Sequence, residues 1–160
     1  MLFISVAVTS PVKEETPSVS KPSETKTSTK SAEKATVVKY TFDVPSLIGK
    51  NIDEIRQILG EPTDAKDMLE PNQAQLDLGV GEWDNTFEKN GKSLLVTFNV
   101  KSRKVVDFFI DTDDSSGKTK DKAHLLELGN LKENDSKYKI EFVKVVNDPS
   151  YYTGVKAMPL

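Results

Sequence analysis

Apolar residues with the spacing of a helix predict the first element of the fold over residues 51–59. Asn51 suits the N-cap, and Glu54, three residues later, completes a capping box. Gly60 suits the left-handed conformation that often follows a helix, and Pro62 prevents its continuation. The apolar face of this helix is expected to consist of Ile52, Ile55, Ile58 and Leu59.

Alternating apolar and polar residues from about 82 to 112 predict a three-stranded antiparallel meander. The pair Asn90-Gly91 suits a two-residue hairpin turn in which both residues have positive φ. That turn places Trp83 opposite Phe98, Asn85 opposite Val96 and Phe87 opposite Leu94. For the second turn, a three-residue loop over 101–103 puts the apolar residues on one face, whereas a two-residue loop divides them. The expected buried face, beneath the helix over 51–59, consists of Trp83, Phe87, Leu94, Val96, Phe98, Val100, Val106, Phe108 and Ile110.

The remaining pattern assigns five shorter elements. They are a strand over 37–44, a helical turn near 64–69, a helix over about 119–128, a strand over 138–146 and a short edge strand over 150–158. Together these elements predict an α+β domain over residues 38–160. Its N-terminal helix packs on the meander, and a second helix and one or two further strands follow.

The residues before this domain differ from it in composition. Residues 1–8 contain one polar residue, Ser5, but a bilayer span needs about 20 residues and a signal peptide begins with basic residues. We interpret residues 1–10 as the remnant of a signal peptide or membrane anchor; a disordered apolar terminus is the alternative. Residues 11–37 are rich in Ser, Thr, Lys, Glu and Pro and predict a disordered linker. This layout is typical of an extracytoplasmic protein tethered to a bacterial cell surface, although a cytosolic domain with a disordered tail has the same pattern.

Charge and composition exclude several classes of function. The net charge is −3 and no basic face is visible, so we expect no nucleic-acid partner and membrane contact only through the N-terminal segment. The chain has no cysteine, which excludes disulfides, thiolate metal sites and a lipid-bearing cysteine within these residues. With His124 as the single histidine, a zinc site would need carboxylates for every other ligand. We expect no metal and no cofactor.

The motifs that suggest chemistry are incomplete. Gly117-Lys118-Thr119 ends a phosphate-loop pattern whose first glycine is replaced by Thr112. The odd-spaced oxygens of Asp111, Asp113 and Ser115 suggest a calcium loop, but its glycine is one place late and Lys122 occupies the twelfth position. The acidic pairs Glu82/Asp84 and Asp113/Asp114 fall on turns or strand edges, and a serine triad lacks its G-x-S-x-G elbow. The sequence therefore predicts that the protein is not an enzyme.

Two resemblances bear on function. The stretch "GKNIDEIRQILGEP" (residues 49–62), Trp83 and "RKVVDFFI" (103–110) resemble small envelope lipoproteins of outer-membrane assembly, the SmpA/OmlA type, and the related β-lactamase-inhibitor-like domains. This resemblance implies an α+β fold that acts by protein–protein contact. The stretch "VPSLIGKNIDEIRQIL" (44–59) resembles the opening of a PASTA domain, which implies peptidoglycan binding.

The second face of the meander is the candidate binding surface. It mixes apolar and polar side chains, and apolar patches with polar rims mark interaction sites. The residues we assign to it are Leu95, Thr97, Val105, Asp107 and Phe109, with Tyr151 and Tyr152 as an extension. The alternative is that the C-terminal helix or strand covers this face. We expect a non-catalytic module, tethered to the cell envelope, that docks a protein partner; peptidoglycan binding or a cytosolic structural role are the alternatives.

Overall fold

A computed structural model describes residues 39–160, and these residues confirm the α+β class. The α-helices are α1 (Val44–Leu47), α2 (Ile52–Leu59), α3 (Gln73–Asp77) and α4 (Lys122–Leu128), with a 3-10 turn over Lys66–Met68. The strands are β1 (Glu82–Lys89), β2 (Lys92–Asn99), β3 (Val105–Asp111), β4 (Tyr138–Val145) and β5 (Asp148–Pro159). The anchor and linker predicted over 1–10 and 11–37 lie outside the described residues.

Helix α2 begins and ends where its capping residues predict. The Asn51 side chain accepts hydrogen bonds from the amides of Asp53 and Glu54, and the Glu54 carboxylate accepts from the Asn51 amide. Ile52 and Ile55 are buried, but Ile58, which was expected on the same apolar face, is 53% exposed. At about 100° per residue, Ile58 lies off the stripe of contacts that the other apolar residues of α2 make with the core.

The residues before α2 do not form the predicted strand. Residues 39–43 contain no strand, and α1 begins at Val44. The backbone amides of Thr41 and Phe42 both donate to the carbonyl of Leu128 at the end of α4. These two amides therefore have an acceptor without a neighbouring strand. The helical turn predicted near 64–69 is confirmed by the 3-10 turn, whereas α3 was not predicted.

The five strands form one antiparallel sheet in the order β1-β2-β3-β5-β4. β5 lies between β3 and β4, so the prediction of a short edge strand near the end of the chain is wrong. The strand runs over Asp148–Pro159, and Val155 and Ala157 within it are fully buried. It hydrogen-bonds to β3 on one side and to β4 on the other, which leaves β1 and β4 as the edges.

The first hairpin has the predicted register. Asn90 and Gly91 have φ of 53° and 69°, as the two-residue turn requires. The observed pairs include Trp83 with Phe98, Asn85 with Val96 and Phe87 with Leu94.

The second turn differs from the predicted three-residue loop. The Asn99 amide donates to the carbonyl of Lys104, which leaves residues 100–103 as the loop. The Asn99 side chain stabilises this longer loop by accepting from the amides of residues 101 and 102. A bulge then restores the predicted register: Thr97 pairs with Asp107 but Phe98 pairs with Val105, so Val106 is the extra residue. Beyond the bulge, Val96 pairs with Phe108 and Leu94 with Ile110, as expected.

The helices that contribute buried residues share one core with one face of the sheet. Helix α4 begins at Lys122, later than predicted, because Thr119 pairs with Tyr152 in a strand-like bridge. The core residues are Phe42, Val44, Leu47, Ile52, Ile55, Phe87, Leu94, Val96, Phe98, Phe108, Ile110, Leu125, Leu128, Leu131, Tyr138, Val155 and Ala157. In the part of the chain that the structure describes, no helix has the length and apolar character to cross a membrane.

Candidate functional site

The two faces of the sheet have different environments. α1, α2 and α4 bury residues in the core on one face, and α3 contributes no buried residue. Side chains alternate along a strand, so the residues between the core positions point the other way. We call this second surface of the sheet the open face. Within residues 39–160, no helix packs its buried side chains against it. Its central residues are Leu95 and Thr97 of β2, Asp107 and Phe109 of β3, and Lys156 of β5.

A buried carboxylate lies at the centre of the open face. Asp107 is 7% exposed, and its two oxygens have different partners on the neighbouring strands. The Thr97 hydroxyl donates to Oδ1 over 3.2 Å, and the Lys156 ammonium donates to Oδ2 over 3.1 Å. These contacts fix the carboxylate in place. The Lys156 side chain remains 34% exposed, which leaves donors free for a bound partner.

An apolar pair lies beside this ion pair. Leu95 stands directly opposite Phe109, and both are half-buried. The Phe109 ring lies over Gly154 of β5: a Cβ atom at that position would come within 2.7 Å of Phe109 Cε2 and Cζ. The ring occupies the space that a side chain at position 154 would fill. The open face thus combines an apolar pair with a fixed charge pair.

The structure separates the predicted docking residues into two groups. Leu95, Thr97, Asp107 and Phe109 lie together on the open face. Val105, Tyr151 and Tyr152 do not join them.

Each separated residue has a local reason for its position. Val105 is turned to the core by the bulge that makes it the partner of Phe98. Tyr152 packs on the core side with its ring 5.5 Å from that of Phe142, because the register of β5 shifts between Tyr152 and Gly154. The Tyr151 ring instead contacts the ammonium groups of Lys118 and Lys120, each of which lies 4.5 Å from the ring centroid.

Lys156 was missed from the sequence. Its role depends on β5 lying next to β3, and the apolar pattern predicted β5 as an edge strand. Its position two residues after Gly154 in the strand gave no signal of a carboxylate partner.

A second polar cluster, also not predicted from the sequence, includes Asp53 and Arg56 of α2. The Arg103 guanidinium donates to both oxygens of Asp53 (2.7 and 3.1 Å) and of Glu70 (2.7 and 2.8 Å). Arg56 also contacts Glu70, at 2.8 Å. Both guanidinium groups lie near the ring of Phe98, with Cζ atoms 5.0 and 5.8 Å from its centroid. We call these five residues the arginine cluster.

The arginine cluster shifts the titration of its members. Hydrogen bonding from Arg103 lowers the pKa of Asp53. Burial acts to raise the pKa of Glu70, but hydrogen bonds from Arg103 and Arg56 outweigh it, so the pKa lies below its usual range. The pKa of Arg103 is raised, first by its hydrogen bonds to Glu70 and then by those to Asp53. The cluster joins α2, the segment after the 3-10 turn and the β2–β3 loop through full charges, which is a structural role.

The acidic loop before α4 is also internally paired. Asp113 contacts the Lys92 ammonium and, at 2.7 Å, Nε2 of His124. The hydrogen bond from Lys92 is the main cause of the lowered pKa of Asp113. Asp114 accepts from the amide and hydroxyl of Ser116 within a turn. Among residues 39–160 there is no group of three or more His, Asp or Glu side chains placed to hold a metal ion.

Two surface grooves lie away from the open face. One of about 560 Å³ is lined by Lys50, Glu54, Lys104 and Leu160, among others, near the start of α2. Another, of about 450 Å³, lies between α3 and the β2–β3 loop and is lined by Leu76, Val80 and Val100, among others. Neither contains a residue of the open face.

Comparison with known proteins identifies no relative: no protein family, curated protein or solved structure matches this chain. The resemblances to envelope lipoproteins and to PASTA domains therefore stay predictions from short stretches of sequence.

Proposed function

We propose that residues 39–160 form a non-catalytic docking module that binds another protein through the open face. We further propose that the module is held at the cell envelope by the residues before it. The scaffold in this proposal is the arrangement expected from the sequence: an N-terminal helix packed on a three-stranded meander, followed by a second helix and one or two further strands.

The observation that carries the proposal is the composition of the open face. Leu95 and Phe109 present apolar surface that no helix of residues 39–160 covers, and the Asp107–Lys156 pair lies beside them. An apolar patch with a polar rim is the usual composition of a protein interface. A partner would place an apolar side chain against Leu95 and Phe109 and an acceptor against Lys156.

The shape of this surface favours a protein over a small molecule. Small-molecule sites are concave and enclose most of their ligand. The open face is the outer surface of the sheet, and the two grooves described above lie elsewhere. The Asp107–Lys156 pair would add specificity, because a partner without an acceptor for the remaining donors of Lys156 would bury those donors unpaired and lose affinity.

The test compares two charge-introducing variants of the full chain. Leu95→Glu places a carboxylate on the open face, and Ile58→Glu places one at an exposed apolar position on α2. Immobilised wild type and Ile58→Glu should retain the same envelope protein, and Leu95→Glu should not. With that protein purified, Leu95→Glu should raise the Kd by about tenfold or more, as expected for a residue at the centre of an interface.

Thermal unfolding of the three proteins separates binding from folding. Because Leu95 is half-buried, the Tm of Leu95→Glu is expected to fall by only a few degrees. Equal retention by all three proteins would exclude the open face as the docking surface. Co-sedimentation of the wild type with purified peptidoglycan, unaffected by Leu95→Glu, would support the PASTA-like alternative instead.

A further inference from the structure

The two edge strands of the sheet, β1 and β4, differ in whether other segments hydrogen-bond to their outer backbone groups. At the β1 edge, the Thr63 amide donates to the Thr86 carbonyl over 2.8 Å, and the Thr86 amide donates to the Asp64 carboxylate over 2.6 Å. The Trp83 indole also donates to the Met68 carbonyl over 2.8 Å. The segment between α2 and α3 therefore covers this edge.

The β4 edge has no such cover in the part of the chain that the structure describes. The backbone groups of Tyr138–Val145 hydrogen-bond only to β5 there. A row of unpaired amides and carbonyls is a template for another strand. β4 has no proline, and the irregularities in its pairing arise from extra residues in β5, so the outer edge of β4 is regular.

Charges on an edge strand usually oppose such pairing, but those of β4 are of both signs. Lys139 and Glu141 lie on the open-face side of the strand, and Tyr138, Ile140 and Phe142 lie on the core side. Two antiparallel copies of β4 keep their open faces on the same side only when residues of the same parity stand opposite each other. This condition limits the possible registers to those centred on a residue.

We propose that β4 pairs with β4 of a second copy of this chain, in an antiparallel register centred on Ile140. In that register Lys139 of each copy stands opposite Glu141 of the other, which forms two cross-strand ion pairs. A register centred on Lys139 or on Glu141 places like charges opposite each other. A register centred on Phe142 places Glu141 opposite Val143 and pairs no charges. Only the centre at Ile140 pairs both charges.

The resulting dimer has a two-fold axis perpendicular to the sheet. The two five-stranded sheets become one continuous sheet, with the helices of both copies on one side and both open faces on the other. A second copy thus removes the exposed edge and doubles the area of the open face. The dimer does not depend on the proposed docking function, because its contacts lie on the strand edge.

The first test is charge reversal, measured by sedimentation equilibrium on the full chain. Glu141→Lys puts two pairs of lysines across the interface and should raise the dimer Kd by about tenfold or more. The double variant Lys139→Glu/Glu141→Lys restores opposite charges and should recover the wild-type Kd within about threefold. Glu88→Lys, the matched control on the β1 edge, should leave the Kd unchanged.

The pattern of these results decides the proposal. A wild-type protein that stays monomeric overturns it, and so does a dimer that Glu141→Lys leaves intact. A double variant no better than Glu141→Lys would overturn the register. Residues 1–38 are identical in all the variants, so association through them cannot follow the charge pattern.

The second test reads the register directly. Because the chain has no cysteine, Ile140→Cys introduces a single thiol, which stands opposite its own copy on the two-fold axis. Oxidation should give a disulfide-linked dimer, since opposite Cα atoms in an antiparallel pair are about 4.5–5.5 Å apart. Phe142→Cys should give little of this product. Cross-linking of Phe142→Cys in preference to Ile140→Cys would overturn the register centred on Ile140.

Discussion

Arg103 combines an unfavourable backbone conformation with charged hydrogen bonds to two carboxylates. Its φ of +63° lies in the left-handed region, which side chains other than glycine rarely adopt. In return, its guanidinium makes bidentate contacts with two carboxylates and lies over the ring of Phe98. The conformation at position 103 is held by these side-chain contacts and by backbone hydrogen bonds to Asn99 and Ile52.

Arg103→Gly separates the two effects. Glycine relieves the backbone strain, which by itself would stabilise the fold by about 1 kcal/mol. Because the hydrogen bonds to Asp53 and Glu70 are lost, we expect a net destabilisation of roughly 1–2 kcal/mol in urea unfolding. Lys101→Gly in the same loop is the control and should change stability little. A variant at position 103 that is as stable as the wild type would show that the side chain does no more than offset its own strain.

The same residues predict an acid-dependent loss of stability. The pKa values of Asp53 and Glu70 are lowered in the folded state by Arg103 and Arg56. A carboxylate whose pKa is lower in the folded state than in the unfolded state stabilises the fold at pH values above its unfolded pKa, which is near 4. This contribution is lost as the pH falls through the pKa of the folded state. The free energy of unfolding should therefore fall below about pH 4. In Arg103→Gly the fall should be smaller, and an equal fall in both proteins would assign the acid dependence to other carboxylates.

At the scale of elements, the side chains of β2 alternate between the core and the open face. Phe98 is fully buried in the core, and Thr97 contributes one hydrogen bond to Asp107. Phe98→Ala should cost about 3–5 kcal/mol, because it removes a buried ring and the surface on which two arginines lie. Thr97→Ala should cost about 0.5–1.5 kcal/mol, since Asp107 keeps its lysine partner. A urea titration in which Thr97→Ala is the more damaging change would contradict this assignment of faces.

Elements whose signals are local could be predicted from the sequence. The capping box of α2 and the Asn90-Gly91 turn each act over a few residues, and both were placed correctly. The bulge at Val106 could not be read, because the Asn99 side chain stabilises a longer loop whose extra residue the bulge then absorbs. The apolar pattern gave the right faces for Leu94–Val96 and the wrong face for Val105.

At the scale of the whole molecule, contacts between distant segments account for what the sequence did not reveal. The place of β5 inside the sheet depends on pairing with both β3 and β4, and a pattern of alternating residues does not distinguish an interior strand from an edge strand. The arginine cluster joins positions 53, 70 and 103, and the open-face ion pair joins 107 and 156. Neither pairing has a signature in the spacing of the residues. The candidate site was therefore predicted only for the side chains of β2 and β3.

The insertion of β5 between β3 and β4 also affects how the chain matures during synthesis. β1, β2 and β3 are joined by short turns and can pair as soon as they leave the ribosome. Ile110 of β3 cannot pair with Val155 until β5 has been synthesised. Until β5 emerges, the nascent meander exposes an unpaired strand edge and incompletely covered apolar residues, the features that attract chaperones and promote aggregation. Slowing translation between residues 112 and 154 should prolong this vulnerable interval. Soluble yield should then fall, although the finished protein would be the same.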